Sequence, residues 1–103
     1  MNGESISLLV TAPDSPGRQI LCDSVHLTLD GGENGRGSGS YGIRPDHASA
    51  LFALGIGPLS VFLKNKLVFS AELRNGFAIF KDNTLTVAAD SFTENPITIE
   101  SHA

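Results

Sequence analysis

The chain has 103 residues, 41% of them hydrophobic and 17% charged, with a formal net charge of −4 and one cysteine. That length suits a single domain with one modest core, and the composition is too ordinary for a disordered or fibrous chain. The charge argues against a nucleic-acid partner, because the longest basic cluster is Lys64-Asn65-Lys66 and polyanion binding depends on neutralising many phosphates at once.

Cys22 has no second cysteine to pair with, so an internal disulfide is excluded and a small buried thiol is expected. No run reaches the ~18 to 20 apolar residues that a bilayer-spanning helix needs. The start Met1-Asn2-Gly3-Glu4 lacks the basic flank of a signal peptide. Membrane association is therefore expected only through an embedded partner.

In chain order, Ile6, Leu8 and Val10 alternate with other residues and predict a half-buried strand. Val25, Leu27 and Leu29 do the same opposite Ser24, His26 and Thr28. Residues 31–40 contain glycine, serine and polar residues with no apolar anchor, and read as a mobile loop. The best helical candidate is residues 46–54, opened by Pro45 and confined by Gly55 and Gly57.

Leu59, Val61 and Leu63 lead through Lys64-Asn65-Lys66 into Leu67, Phe69 and Ala71, which predicts a β-hairpin turning at Asn65. A second hairpin is predicted where Lys81-Asp82-Asn83-Thr84 separates residues 77–80 from residues 85–87. The tail, residues 93–103, contains Asn95-Pro96 and then Ile97-Thr98-Ile99, an edge strand or a disordered end.

Strands recurring at about 8 to 12 residue intervals predict an all-β fold, a two-sheet β-sandwich or flattened barrel of about 8–10 short strands. The domain is expected over residues 1–92, with a Gly-rich loop at 31–40.

Signals for chemistry are weak. Gly37-Ser38-Gly39-Ser40-Tyr41-Gly42 matches a dinucleotide-binding string, but Pro45 opposes the helix that string requires and no strand-helix-strand pattern surrounds it. His26, His47 and His102 stand in no metal-ligand spacing. A lone histidine beside a proline turn is most often a structural hydrogen-bonder, since a general base needs an oriented partner. Ser38 and Ser40 do not form a nucleophile elbow. No catalytic residue, metal or cofactor is expected.

The run Gly42-Ile43-Arg44-Pro45-Asp46-His47-Ala48, with Leu54-Gly55-Ile56-Gly57 and the stretch from Gly76-Phe77 to Asp90, resembles the N-terminal β-sandwich domain of the F-type ATP synthase epsilon subunit. Leu9-Val10-Thr11-Ala12-Pro13 and Asp23-Ser24-Val25-His26-Leu27 are weaker matches to the same family. The chain departs from the family pattern in its glycine-rich stretch, in Asp46, Ser49 and Ile79, and in lacking the C-terminal helical hairpin.

The resemblance implies a noncatalytic central-stalk rotor subunit that couples the gamma shaft to the membrane c-ring. It would sit peripherally on the cytoplasmic face of a bacterial inner membrane as part of F1. By the resemblance, Ser40, Tyr41 and Gly42 lie in the loop that faces the c-ring. Ile43, His47 and Ile79 are the gamma-facing candidates, and an exposed Ile79 would indicate an apolar docking patch. The alternative is a freestanding β-sandwich adaptor that binds through its Gly-rich loop.

Overall fold

Among the described residues, seven strands form one hydrogen-bonded ladder: β1 (Ile6–Ala12), β2 (Ser15–Cys22), β3 (Ser24–Asp30), β4 (Gly37–Ile43), β5 (Ala50–Leu63), β6 (Lys66–Lys81) and β7 (Thr84–Glu94). The structure, a computed structural model, describes residues 5–31 and 37–97, without the side chains of residues 37 and 38. Strand order is β2-β1-β7-β6-β5-β3-β4. All neighbours run antiparallel except β1 and β7, which are parallel.

One ladder makes a sandwich because the three long strands fold over. Buried positions on β5 step from Leu54 to Gly55, Gly57, Leu59 and Val61. On β6 they step from Phe69, Ala71 and Leu73 to Ala78 and Phe80, and on β7 from Leu85, Val87 and Ala89 to the core-packed Phe92. Side chains on a strand alternate with period two, so each odd step moves the inward face to the other side of the ribbon.

The three steps lie at one level, where Leu54 pairs with Gly76 and Gly76 with Ala89. Below it, β2, β1 and one half of β7, β6 and β5 form the first sheet; above it, the other halves join β3 and β4. The long strands thus supply two segments each, which reconciles seven strands with the larger number of short ones predicted.

Backbone geometry places the fold-over. Asn75 has φ 58° and Gly76 φ 137°. A Cβ on Gly76 would collide with the Ala88 carbonyl oxygen and stand 2.7 Å from the Ala89 Cα, so only glycine lets β6 lie this close to β7 here.

The two inner faces share one core, in which Ile6, Leu8, Val10, Val25, Leu27, Leu59, Val61, Phe80, Leu85 and Val87 are fully buried. Each such side chain contributes about 1.5–3 kcal/mol of transfer free energy. Among the described residues no polar or charged residue is buried.

Both predicted hairpins are present. Lys64 and Asn65 have φ 53° and 67°, and Asp82 and Asn83 have φ 51° and 57°. Positive φ at both central residues is the two-residue turn whose twist matches antiparallel strands, and Asn and Asp tolerate it best.

Two expectations are corrected. Residues 46–54 form no helix, since Asp46 at φ 68° leaves the right-handed region at once and residues 50–54 pair with β6 instead. The predicted loop over 31–40 extends too far, because Gly39 pairs with Leu29 and Ser40 with Thr28. A ladder joins backbone to backbone, so a strand on β3 needs no apolar anchor of its own. Residues 32–36, His102 and the possible edge strand at Ile99 lie outside the described residues.

At the opposite edge, Arg18 on β2 meets Glu94 at the end of β7 with N···O 2.5 Å, and its guanidinium lies 5.2 Å from the Phe69 ring centroid. Pro16, Gly17 at φ 82° and this pair blunt the β2 edge against further strands.

Candidate docking face and the Tyr41–His47 turn

The outer surface of the first sheet is apolar. Leu51 pairs with Ile79 and Ala53 with Phe77 across β5 and β6. Ile79 faces Thr86 and Phe77 faces Ala88 across β6 and β7, and Leu9 lies beside Thr86 on β1. Leu51 is 66% exposed, Phe77 58%, Ile79 54%, and Leu21 on β2 60%. Where the face meets the fold-over, a groove of about 700 Å³ opens between Pro13, Ala53, Phe77, Ala88 and Asp90.

The outer surface of the second sheet is polar by contrast. Ser70, Ser60, His26 and Gly42 follow one another across β6, β5, β3 and β4. Leu51, Leu21, Phe77 and Ile79 on the first sheet are each more than half exposed, whereas the most exposed large hydrophobic residues of the second sheet, Leu67 and Val68, reach 39% and 38%. Such asymmetry marks an interaction surface on a small domain.

Ile79 was expected to be exposed if it docks, and it is. Leu51, Phe77, Leu9 and Leu21 were not read as site residues. In Phe77-Ala78-Ile79-Phe80 both alternating sets are apolar, so periodicity could not say which pair points outward. Ala78 and Phe80 are fully buried and Phe77 and Ile79 are not.

Beside this face lies the turn from Arg44 to His47, closed by the His47 N–H donating to the Arg44 carbonyl at 3.2 Å. The Asp46 amide donates to Asn83 Oδ1 at 2.6 Å, which ties the turn to the β6–β7 hairpin. His47 Nδ1 stands 2.7 Å from the Ala48 carbonyl oxygen, and Nε2 2.9 Å from the Tyr41 hydroxyl. A carbonyl only accepts, so neutral His47 carries its proton on Nδ1, and Nε2 accepts from Tyr41.

The ring of His47 is edge-on to Tyr41 and Phe80, with centroids at 5.8 and 5.7 Å, and Tyr41 packs on Phe52 at 5.1 Å. His47 is thus held on both nitrogens and on its faces. That is the structural role expected of a lone histidine at a proline turn.

The remaining expected residues divide. Ser40 and Gly42 are exposed on β4, the edge strand, whereas Tyr41 turns inward onto Phe52 and His47. Ile43 is fully buried opposite Val25, so its expected role as a gamma-facing contact is withdrawn: it packs its own sandwich. Cys22 is buried, its Sγ 3.6 Å from the Ile6 carbonyl, and burial together with the Asp23 charge pushes its thiol up to about 11. Among the described residues no cluster of three His, Cys, Asp or Glu side chains could hold a metal ion.

Fold and surface together define a β-sandwich domain with an apolar outer face flanked by a braced turn. Residues 35–95 match the model of the ATP synthase Delta/Epsilon chain, beta-sandwich domain, and the chain belongs to that family.

Two solved structures share the fold. A chain of the Euglena gracilis mitochondrial ATP synthase, from a complex of OSCP, F1 and c-ring, aligns with TM-score 0.73 at 17% identity, over 89% of this chain and 54% of its own length. A chain of the Tetrahymena thermophila mitochondrial ATP synthase central stalk and c-ring aligns with TM-score 0.65 at 15% identity, over 90% of this chain and 69% of its own. This chain therefore spans about half the Euglena chain. No curated protein matches it.

Proposed function

We propose that the protein is a noncatalytic central-stalk subunit of an F-type ATP synthase, joining a gamma shaft to the c-ring. The observation that carries this reading is the exposed row of Leu51, Ile79 and Phe77 on a domain of the delta/epsilon family. A shaft that transmits torque must hold its partner against shear, and a few large apolar anchors on a stiff sheet provide that.

In this reading Leu51, Phe77 and Ile79 meet the gamma subunit, with His47 bracing the adjacent turn. Ser40 and Gly42, exposed on edge strand β4 with Tyr41 supporting them from inside, lie toward the ring. The protein is then peripheral, held at its membrane by the complex. Both matched structures are mitochondrial, so a bacterial inner membrane rests on the sequence resemblance alone.

The test is co-expression with the cognate gamma subunit and ring. A defined complex is expected with the native chain and none with Ile79→Glu. Failure of the correctly folded native chain to join the complex would overturn the reading.

A further inference from the structure

A second surface, reaching from the outer side of the second sheet at His26 to the turn at Arg44, collects positive charge. The start of β3, the turn after β4 and the β5–β6 hairpin enclose a cleft of about 590 Å³, lined by Asp23, Ser24, His26, Arg44, Phe62 and Lys64 among others. The volume falls in the range of small-ligand sites, about 300–1,000 Å³. Neither Arg44 nor Lys64 has an ion-pair partner among the described residues, although the chain as a whole carries a net charge of −4. Two unpaired cations converging on one concavity of an acidic protein make a local attractor for anions.

Both cations spring from fixed backbone. Arg44 opens the turn closed by the His47 N–H, and Lys64 occupies the two-residue hairpin turn at φ 53°. The Lys64 amide donates to Asp23 Oδ2 at 3.0 Å, which engages one oxygen of the only carboxylate lining the cleft among the described residues. His26 stands edge-on to Phe62, with ring centroids 5.6 Å apart, and its Nε2 lies 3.5 Å from the Ser24 hydroxyl. The cleft thus offers a guanidinium fork, an ammonium, an imidazole and a hydroxyl, the donors that phosphoryl oxygens accept from.

We propose that this cleft binds a phosphoryl anion, either free in solution or as a lipid headgroup. Arg44 and Lys64 supply the charge, and His26 and Ser24 orient the oxygens. Asp23 opposes the ligand's charge and keeps affinity modest, so its neutralisation strengthens binding.

The experiment titrates the full chain with pyrophosphate by calorimetry at low ionic strength. In parallel, the chain is co-sedimented with phosphatidylcholine vesicles with and without phosphatidylglycerol. Thermal melts establish that each variant is folded. Saturable pyrophosphate binding is expected, weakened about tenfold by Arg44→Gln and by Lys64→Gln, as the loss of a charge-assisted hydrogen bond predicts.

Asp23→Asn is expected to tighten binding several-fold, and Lys81→Gln, a cation elsewhere, to leave it unchanged. Binding to phosphatidylglycerol vesicles alone, with the same dependence on Arg44 and Lys64, would identify the lipid headgroup as the source. The proposal is overturned if neither probe binds saturably, or if Lys81→Gln weakens binding as much as the cleft variants do.

Discussion

Asp46 and Asn83, 37 residues apart in the chain, clasp each other. The Asp46 amide donates to Asn83 Oδ1 at 2.6 Å, and Asn83 Nδ2 donates back to Asp46 Oδ1 at 3.3 Å. Both have positive φ, 68° and 57°, so two turns of unusual backbone stabilise one another. The clasp fixes the His47 turn to the β6–β7 hairpin, next to the paired strands β5 and β6 that carry Leu51 and Ile79.

Asn83→Ala removes both hydrogen bonds and leaves an alanine at positive φ. Each hydrogen bond contributes about 1 kcal/mol and the left-handed backbone costs about 1–2 kcal/mol. A drop in Tm well above the ~4–8 °C expected per kcal/mol is predicted by calorimetry. Asn83→Gly loses the bonds but not the backbone tolerance and should fall in between; an Asn83→Gly chain as stable as the native one would contradict the clasp.

Tyr41→Phe keeps the ring on Phe52 and removes only the hydroxyl bonded to His47 Nε2. A loss of about 1 kcal/mol is expected in chemical denaturation. Nitrogen NMR of the neutral native imidazole should show the Nδ1–H tautomer. A dominant Nε2–H form would refute the arrangement.

Gly76→Ala forces a Cβ into the Ala88 carbonyl at a backbone angle that L residues rarely adopt. Both effects act on the level where β5, β6 and β7 fold over, so loss of soluble folded protein is expected. Ala78→Gly, two residues on, is a contrasting control: it weakens packing and retains the fold.

Ile79→Glu changes a side chain that is 54% exposed and leaves the core intact. Stability should move by no more than about 0.5 kcal/mol. Capture by the gamma subunit should disappear. Unchanged capture would place the interface elsewhere.

Cys22, with its thiol raised to about 11, favours the protonated form when folded. Its unfolded counterpart ionises near 8.5. Stability from this group is therefore complete below about pH 8.5 and is lost as pH rises toward 11, because the unfolded chain releases its proton first. Melting temperature should fall more steeply between pH 9 and 11 in the native chain than in Cys22→Ala. Thiol reagents should modify Cys22 at pH 8 only in denaturant.

The sequence by itself determined what local rules can carry. Period-two alternation defined β1 and β3, because Ile6, Leu8, Val10, Val25 and Leu27 recur at every second position, are flanked by polar residues except at Leu9, and are all buried. Turn chemistry defined both hairpins, because Asn65, Asp82 and Asn83 accept positive φ where other residues resist it. The motif around Gly42 and His47 was enough to suggest the family.

Only tertiary structure decided the rest. Whether Phe77 or Ala78 faces out depends on where β6 folds over, and a run apolar on both faces carries no period to reveal it. Strand status for residues 37–40 came from β3, since backbone pairing needs no side-chain signal. The parallel pairing of Val10 with Val87, the Asp46–Asn83 clasp and the convergence of Arg44 with Lys64 join residues far apart in the chain. Such contacts exist only once chain-closure entropy has been overcome by the shared core, and no local pattern encodes them.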